Sequence, residues 1–173
     1  MWKNFCANPP GLLTHRIRRG FTLIEMMVVL AIIAIVALMA MPSPDPTLTR
    51  KQVSESLELI EDYKGLVAFY HKTTLKFLSD NQEAGIPEAD KLLGNYVDRI
   101  ELEKGAFHLH FGNKAHPNLK EKWLSVRPVV VKDSPQSPMS WICGNSAVPE
   151  GMQAIGDNKT NIDIKDLPLS CRI

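Results

Sequence analysis

The sequence predicts an α+β fold: a long N-terminal helix packed on an antiparallel sheet of about four strands, with a C-terminal loop that two cysteines can close. Three observations carry that expectation. An unbroken apolar run from Met26 to Met41 stands near the start of the chain. A stripe at three- and four-residue steps follows it (Val53, Leu57, Ile60, Tyr63, Val67 and Tyr70), which marks an amphipathic helix from about Thr47 to Phe77. Short segments alternating apolar with polar residues, separated by turn residues, then fill the second half.

Residues 1–20 read as a processing segment. They hold Lys3, Arg16, Arg18 and Arg19 and no acidic residue. A secretory signal has its small-residue cleavage site after the apolar run, whereas here the candidate, Gly20, precedes it. From Phe21 to Met41 the chain could form about 31 Å of helix at 1.5 Å per residue, sufficient for a bilayer core. The arginines would hold residues 1–20 on the cytoplasmic side and place the bulk of the chain outside. Three prolines, Pro42, Pro44 and Pro46, end the run, and each removes a backbone donor. A kink or an unwound stretch is expected there. The expected divisions are therefore a removable leader at 1–20, a transmembrane helix with a proline kink at 21–46, and an exported globular domain at 47–173.

Beyond the amphipathic helix, residues 79–95 read as a loop, with Asp80, Asn81, Gly85, Pro87 and Gly94. Val97 to Leu102 is a strand ending at a Lys104-Gly105 turn. Phe107, Leu109 and Phe111 alternate with His108 and His110 on a second strand. Trp123 to Val131 and Met139 to Cys143 read as two more, and the remainder as an irregular tail.

Charge and cysteines bound the function. The net charge of +1 gives no overall polyanion-binding signal. Without residues 1–20 the chain has 16 basic against 19 acidic side chains, a net of −3. Three cysteines leave one unpaired, but Cys6 lies in the leader. Cys143 and Cys171 then form a disulfide in an oxidising compartment or stand as two buried thiols in a reducing one, and the export signals favour the disulfide. A strand face carrying His108 and His110 could in principle chelate a metal, but no third ligand is identifiable, and both are expected to face solvent. Lys114, Lys120, Lys122, Arg127 and Lys132 make a basic stretch, more simply a solvated strand face than a DNA site. Asn158-Lys159-Thr160 matches a glycosylation sequon, a pattern too short to carry weight. No phosphate loop, nucleophile elbow or zinc spacing is present, so no enzyme, metal or cofactor is expected.

The segment Arg18-Arg19-Gly20-Phe21-Thr22-Leu23-Ile24-Glu25, followed by the apolar run, resembles the prepilin processing site of type IV pilins of the type IVa kind. That resemblance implies a membrane peptidase that cuts after Gly20 and N-methylates Phe21. It also implies that Glu25 pairs with the N-terminal ammonium of a neighbouring subunit and sets the register of packed helices. Pro42 matches the proline that kinks the pilin helix. Arg50 to Leu57 and Gly94-Asn95-Tyr96-Val97 are similar to later family segments. Trp141-Ile142-Cys143 with Leu167-Pro168 and Cys171-Arg172 resembles the paired cysteine motif, which implies a Cys143–Cys171 disulfide. Two features depart from the pattern: the additional prolines Pro44 and Pro46, and a leader longer than usual.

The resemblance further implies the pilin fold and a structural subunit that polymerises with other pilin subunits. Its partners would be the prepilin peptidase/methyltransferase and the inner-membrane assembly machinery. It would reside in the inner membrane before assembly and in an extracellular pilus afterwards, serving cell adhesion, twitching motility or DNA uptake. The alternatives are a minor pilin that binds DNA or a surface, and a type II secretion pseudopilin. The acidic balance between the two cysteines argues against DNA.

Overall fold

The computed structural model describes residues 20–40, 46–134 and 136–172. The chain divides into two compact units between residues 43 and 44.

The first unit contains α1, Leu23–Ala40. Its sequence, LIEMMVVLAIIAIVALMA, is apolar around the whole circumference, and the described side chains from Phe21 to Met39 are all exposed. A helix apolar on every side has no place in water and must be covered by lipid or by other chains. The helix is shorter than the sequence suggested, since Phe21 and Thr22 precede it in non-helical backbone. Among the described residues no helix is long and apolar enough to cross a membrane. The 18 residues of α1 give about 27 Å, against a hydrocarbon core of about 30 Å. Pro42, Pro44 and Met41 lie outside the described residues, and with them the expected kink.

The second unit opens with α2, Pro46–Glu58, and α3, Glu61–Thr74. Pro46 is the first residue of α2, where its missing N–H has no helical partner to lose. The single expected helix is thus two. At Leu59 and Ile60 the amides bond to the carbonyls three residues back, a tightened turn between the helices. Val53, Ile60 and Val67, seven residues apart, are all within 1% of full burial, and Leu57, Tyr63 and Tyr70 flank them. Leu75, in left-handed backbone, ends α3 directly after Thr74, with its amide bonded to the His71 carbonyl at 2.8 Å.

The sheet has five antiparallel strands: β1, Val97–Glu103; β2, Ala106–Phe111; β3, Trp123–Val131; β4, Ser140–Cys143; and β5, Met152–Ala154. The first four lie in sequence order, and β5 pairs with Val129–Val131 at the end of β3. Lys104 and Gly105 both take positive φ, the two-residue turn whose twist suits a hairpin. One face of the sheet carries Ile100, Leu102, Phe107, Leu109, Phe111, Leu124 and Val126, which join the helix stripe in one core. The connection from α3 to β1 covers the open edge of β1. There the Asn81 amide donates to the Ile100 carbonyl at 3.0 Å, and its Oδ1 accepts from the Leu102 N–H at 2.6 Å. That edge is closed to further strand addition over those residues.

The opposite face is partly covered, which corrects the expectation for His108. The segment after β5 crosses it: Gly156 passes so close that a Cβ there would lie 2.6 Å from Ala106 Cβ. Ala106 and His108 are both 0% exposed as a result. β5 and this crossing are the parts of the tail expected to be irregular.

Candidate functional site

Two regions hold the residues singled out from the sequence. The first is the entry to α1. Gly20 is exposed, and among the described residues no atom beyond its chain neighbours lies within 4 Å of where its Cβ would be, so their packing does not require glycine there. Thr22 is the N-cap of α1. Its Oγ1 accepts from the Glu25 N–H at 3.3 Å, and Glu25 Oε2 accepts from both the Thr22 N–H and its hydroxyl at 3.2 Å. This is a capping box, in which two residues satisfy each other's otherwise orphaned amides. The carboxylate also sits at the positive end of the helix dipole. Thr22 was not singled out from the sequence, although Thr-x-x-Glu before an apolar run is a readable signature of a helix start. Among the described residues, the hydrogen bonds of the Glu25 carboxylate run through Oε2, and none reaches Oε1. Pro42 lies outside the described residues, so the structure brings together Gly20, Phe21 and Glu25 only.

The second region is the C-terminal loop. Cys143 and Cys171 form a disulfide, with Cα atoms 4.7 Å apart and both residues buried. Around it the Ser146 hydroxyl donates to the Cys143 and Ser170 carbonyls, at 2.8 and 3.2 Å. Gly144 has positive φ and lies so close that a Cβ would be 2.9 Å from the Cys171 carbonyl oxygen. The loop is also tied to the start of α2. Asp166, 1% exposed, accepts from the Thr49 hydroxyl at 2.9 Å, and the Arg50 Nε donates to the Lys165 carbonyl at 2.9 Å.

Between these anchors the tail is held to β3 largely by side chains. Asn161 Oδ1 accepts from the Trp123 N–H at 2.7 Å, and Thr160 Oγ1 accepts from the Ser125 N–H at 3.0 Å. The Lys159 N–H donates to Ser125 Oγ at 2.7 Å, and the same hydroxyl is hydrogen-bonded to His108 Nδ1 at 2.8 Å. Lys159 Nζ reaches Glu103 at 2.6 Å and Glu101 at 3.7 Å. The sequon Thr160 and Asn158 are both engaged here, the latter donating to Asn145 Oδ1 at 3.0 Å.

Burial, assisted by the nearby Lys159 charge, pushes the His108 pKa down to about 4 from 6.5. The unfolded chain therefore binds this proton more readily than the folded one. The histidine's contribution is fully present above pH 6.5 and is lost as pH falls toward 4, a total of about 3 kcal/mol. Denaturant unfolding at pH 7.5 and 4.5 should show this loss, and His108→Gln should show a smaller one. Equal losses in both would disprove the assignment.

The basic stretch does not form one face. Lys122 pairs with Asp163 at 3.3 Å, and Arg127 is half-buried, whereas Lys114 and Lys120 are exposed. No group of three or more metal-ligating side chains suited to an ion stands among the described residues.

Known proteins match both parts of this chain in sequence. Residues 15–41 match the prokaryotic N-terminal methylation motif, and residues 49–172 match the family described as pilin (bacterial filament). A fimbrial protein of Neisseria meningitidis serogroup B is 31% identical over 167 residues, covering 91% of this chain and 96% of the relative. A type IV major pilin protein PilE1 of Neisseria gonorrhoeae is 32% identical over 165 residues, covering 91% and 89%. The fimbrial protein EcpC of Eikenella corrodens is 29% identical over 158 residues, covering 91% and 92%. These relatives are structural subunits and not enzymes, and on these sequence matches this chain belongs to the type IV pilin family.

Proposed function

We propose that the chain is a major pilus subunit, made as a precursor, cut between Gly20 and Phe21, N-methylated on Phe21 and polymerised through α1. The observation that carries this reading is the start of α1, where an exposed glycine precedes a capped helix that is apolar on every side. The exposed Gly20 offers backbone without a side chain, suited to close approach by a protease. Before assembly the helix would lie in the inner membrane with the disulfide-closed domain outside. Its shortfall of about 3 Å against the hydrocarbon core is a mismatch that bilayers accommodate for fractions of a kcal/mol per Å. In the filament α1 would pack among copies of itself, with Glu25 Oε1 meeting the Phe21 ammonium of a neighbour. The partners are other pilin subunits, the prepilin peptidase/methyltransferase and the inner-membrane assembly machinery. The filament would support adhesion, twitching motility or DNA uptake. The likeness to subunits named major pilins favours an abundant role over a minor one.

Replacing Gly20 by leucine tests the processing step. The variant should accumulate as uncut precursor in membranes, visible as a protein heavier by the leader on a gel. Normal maturation of Gly20→Leu would disprove cleavage at this bond.

A further inference from the structure

We propose that residues 156–161 form an acid-released strap, which lies over the outer face of the sheet while His108 is neutral and lifts when the imidazole takes a proton. The opening is local: the strands from β1 to β4 keep their pairing when the strap lifts.

Three features build it. The first is enclosure. His108 is 0% exposed, with Glu101 of β1 and Ser125 of β3 opposite it in register and the strap crossing beside it. Its Nδ1 is bonded to Ser125 Oγ at 2.8 Å, whereas among the described residues Nε2 has no hydrogen-bond partner. The second is that a protonated ring would have an N–H at Nε2 with no acceptor in reach. Glu103 Oε2 lies 3.9 Å away, and it already takes Lys159 Nζ at 2.6 Å. A buried, unbonded charge is costly, so protonation favours any opening that admits water.

The third is that the walls differ in strength. The strands are joined by backbone ladders, whereas the strap is held to β3 by contacts of Lys159, Thr160 and Asn161 and to β1 by the Lys159 ammonium. Its ends stay tied when it lifts. β5 pairs with β3 before it, and the Asp166–Thr49 contact and the disulfide hold the chain after it.

The charged groups around the ring are Glu101 and Glu103 from β1, Arg127 from β3, and Asp157 and Lys159 from the strap. Lys104 pairs with Asp157 at 3.9 Å, and His110, next on the same face of β2, pairs with Asp98 from the bulge in β1 at 2.6 Å. Burial first, then the Lys159 charge, holds the enclosed imidazole at about 4, and lifting the strap returns it to its ordinary 6.5. The closed form therefore binds the proton less tightly, and acid favours the open one. The opening equilibrium should rise about 70-fold from pH 7.5 to 4.5. Opening would uncover Ala106, His108 and Ser125 and free Glu101 and Glu103 from Lys159, changing the outer face of the domain while its core stays packed.

Hydrogen exchange of the full-length chain in detergent tests the strap, with each rate divided by the intrinsic rate at the same pH. The amides of Ser125, Lys159 and Asn161 report on it, since each bonds across the strap–β3 contact. Their protection should fall about 70-fold between pH 7.5 and 4.5, approaching tenfold per pH unit below pH 6. It should be insensitive to about 1 M urea, because a lifted strap exposes little surface, whereas Leu109 and Phe111 should be more protected and urea-sensitive. In His108→Gln, which takes no proton, the acid-dependent fall should disappear. Should that variant not fold, as read by circular dichroism, the pH profile and urea dependence of the parent chain carry the test. A flat pH profile in the parent, strap amides with the urea dependence of Leu109, or the same acid-dependent fall in folded His108→Gln would overturn the proposal.

Discussion

Replacing Glu25 by alanine is expected to leave the chain folded and processed but to exclude it from filaments. Two roles converge on this carboxylate, and their sizes differ. Its bonds to the Thr22 N–H and hydroxyl form a cap worth about 1 kcal/mol, too little to unravel an 18-residue helix in lipid. The proposed contact with a neighbour's Phe21 ammonium is a buried ion pair, and removing one partner of such a pair costs about 3–5 kcal/mol. That corresponds to a loss of incorporation on the order of 100-fold or more at every subunit contact. Glu25→Gln separates the roles. Glutamine can keep the cap but carries no charge, so the account expects it to fail in assembly as alanine does. Thr22→Val removes the cap and keeps the charge, and it should assemble. Quantifying the variants in sheared filaments against total protein checks this, and full incorporation of Glu25→Gln would remove the ion pair from the account.

The second large effect concerns the disulfide. Reducing Cys143–Cys171, or replacing both cysteines by serine, should lower stability by about 3–4 kcal/mol, because the bond closes a loop of 28 residues' separation in the unfolded chain. For a chain of this size that is a fall in melting temperature of about 10 °C. The consequence is also local. The tail from Gly156 to Asn161 covers His108 and Ser125 and is held by the Asn161 and Thr160 side chains and by the main-chain N–H groups of Lys159 and Asn161. Its far end is anchored at Cys171 and through Asp166 on Thr49. Losing the bond should speed amide exchange across β3 at Trp123 and Ser125, while Leu109 and Phe111 in β2 stay protected. Thermal unfolding with and without reductant, followed by hydrogen exchange, measures both effects.

Much of this molecule is legible in the sequence because the relevant signals are local. The run beginning at Leu23 is apolar whatever surrounds it. The Lys104-Gly105 turn and the bounds of β3, Trp123 to Val131, follow from turn chemistry and β-branched content. The heptad of Val53, Ile60 and Val67 fixes the buried face of the amphipathic region, although the tightened turn at Leu59 and Ile60 has no breaker residue to reveal it. The capping box at Thr22 and Glu25 was equally readable, being three residues apart. The disulfide pairing follows once Cys6 is assigned to the leader.

What the sequence hides is nonlocal. His108 alternates with apolar neighbours and reads as solvent-facing, and only the crossing of residues 155–161, some fifty positions later, buries it. β5 is three residues long and gains its identity from pairing with Val129–Val131. Asp98 becomes a partner of His110 through a one-residue bulge, and no periodicity announces a bulge. The contact between Thr49 and Asp166 joins residues at opposite ends of the second unit.

The intact mass of this protein in filaments sheared from cells tests the central claim most directly. The account predicts an abundant species that begins at N-methylated Phe21 and is two hydrogens lighter for the Cys143–Cys171 bond. A chain still beginning at Met1, or one absent from the filament fraction, would contradict it.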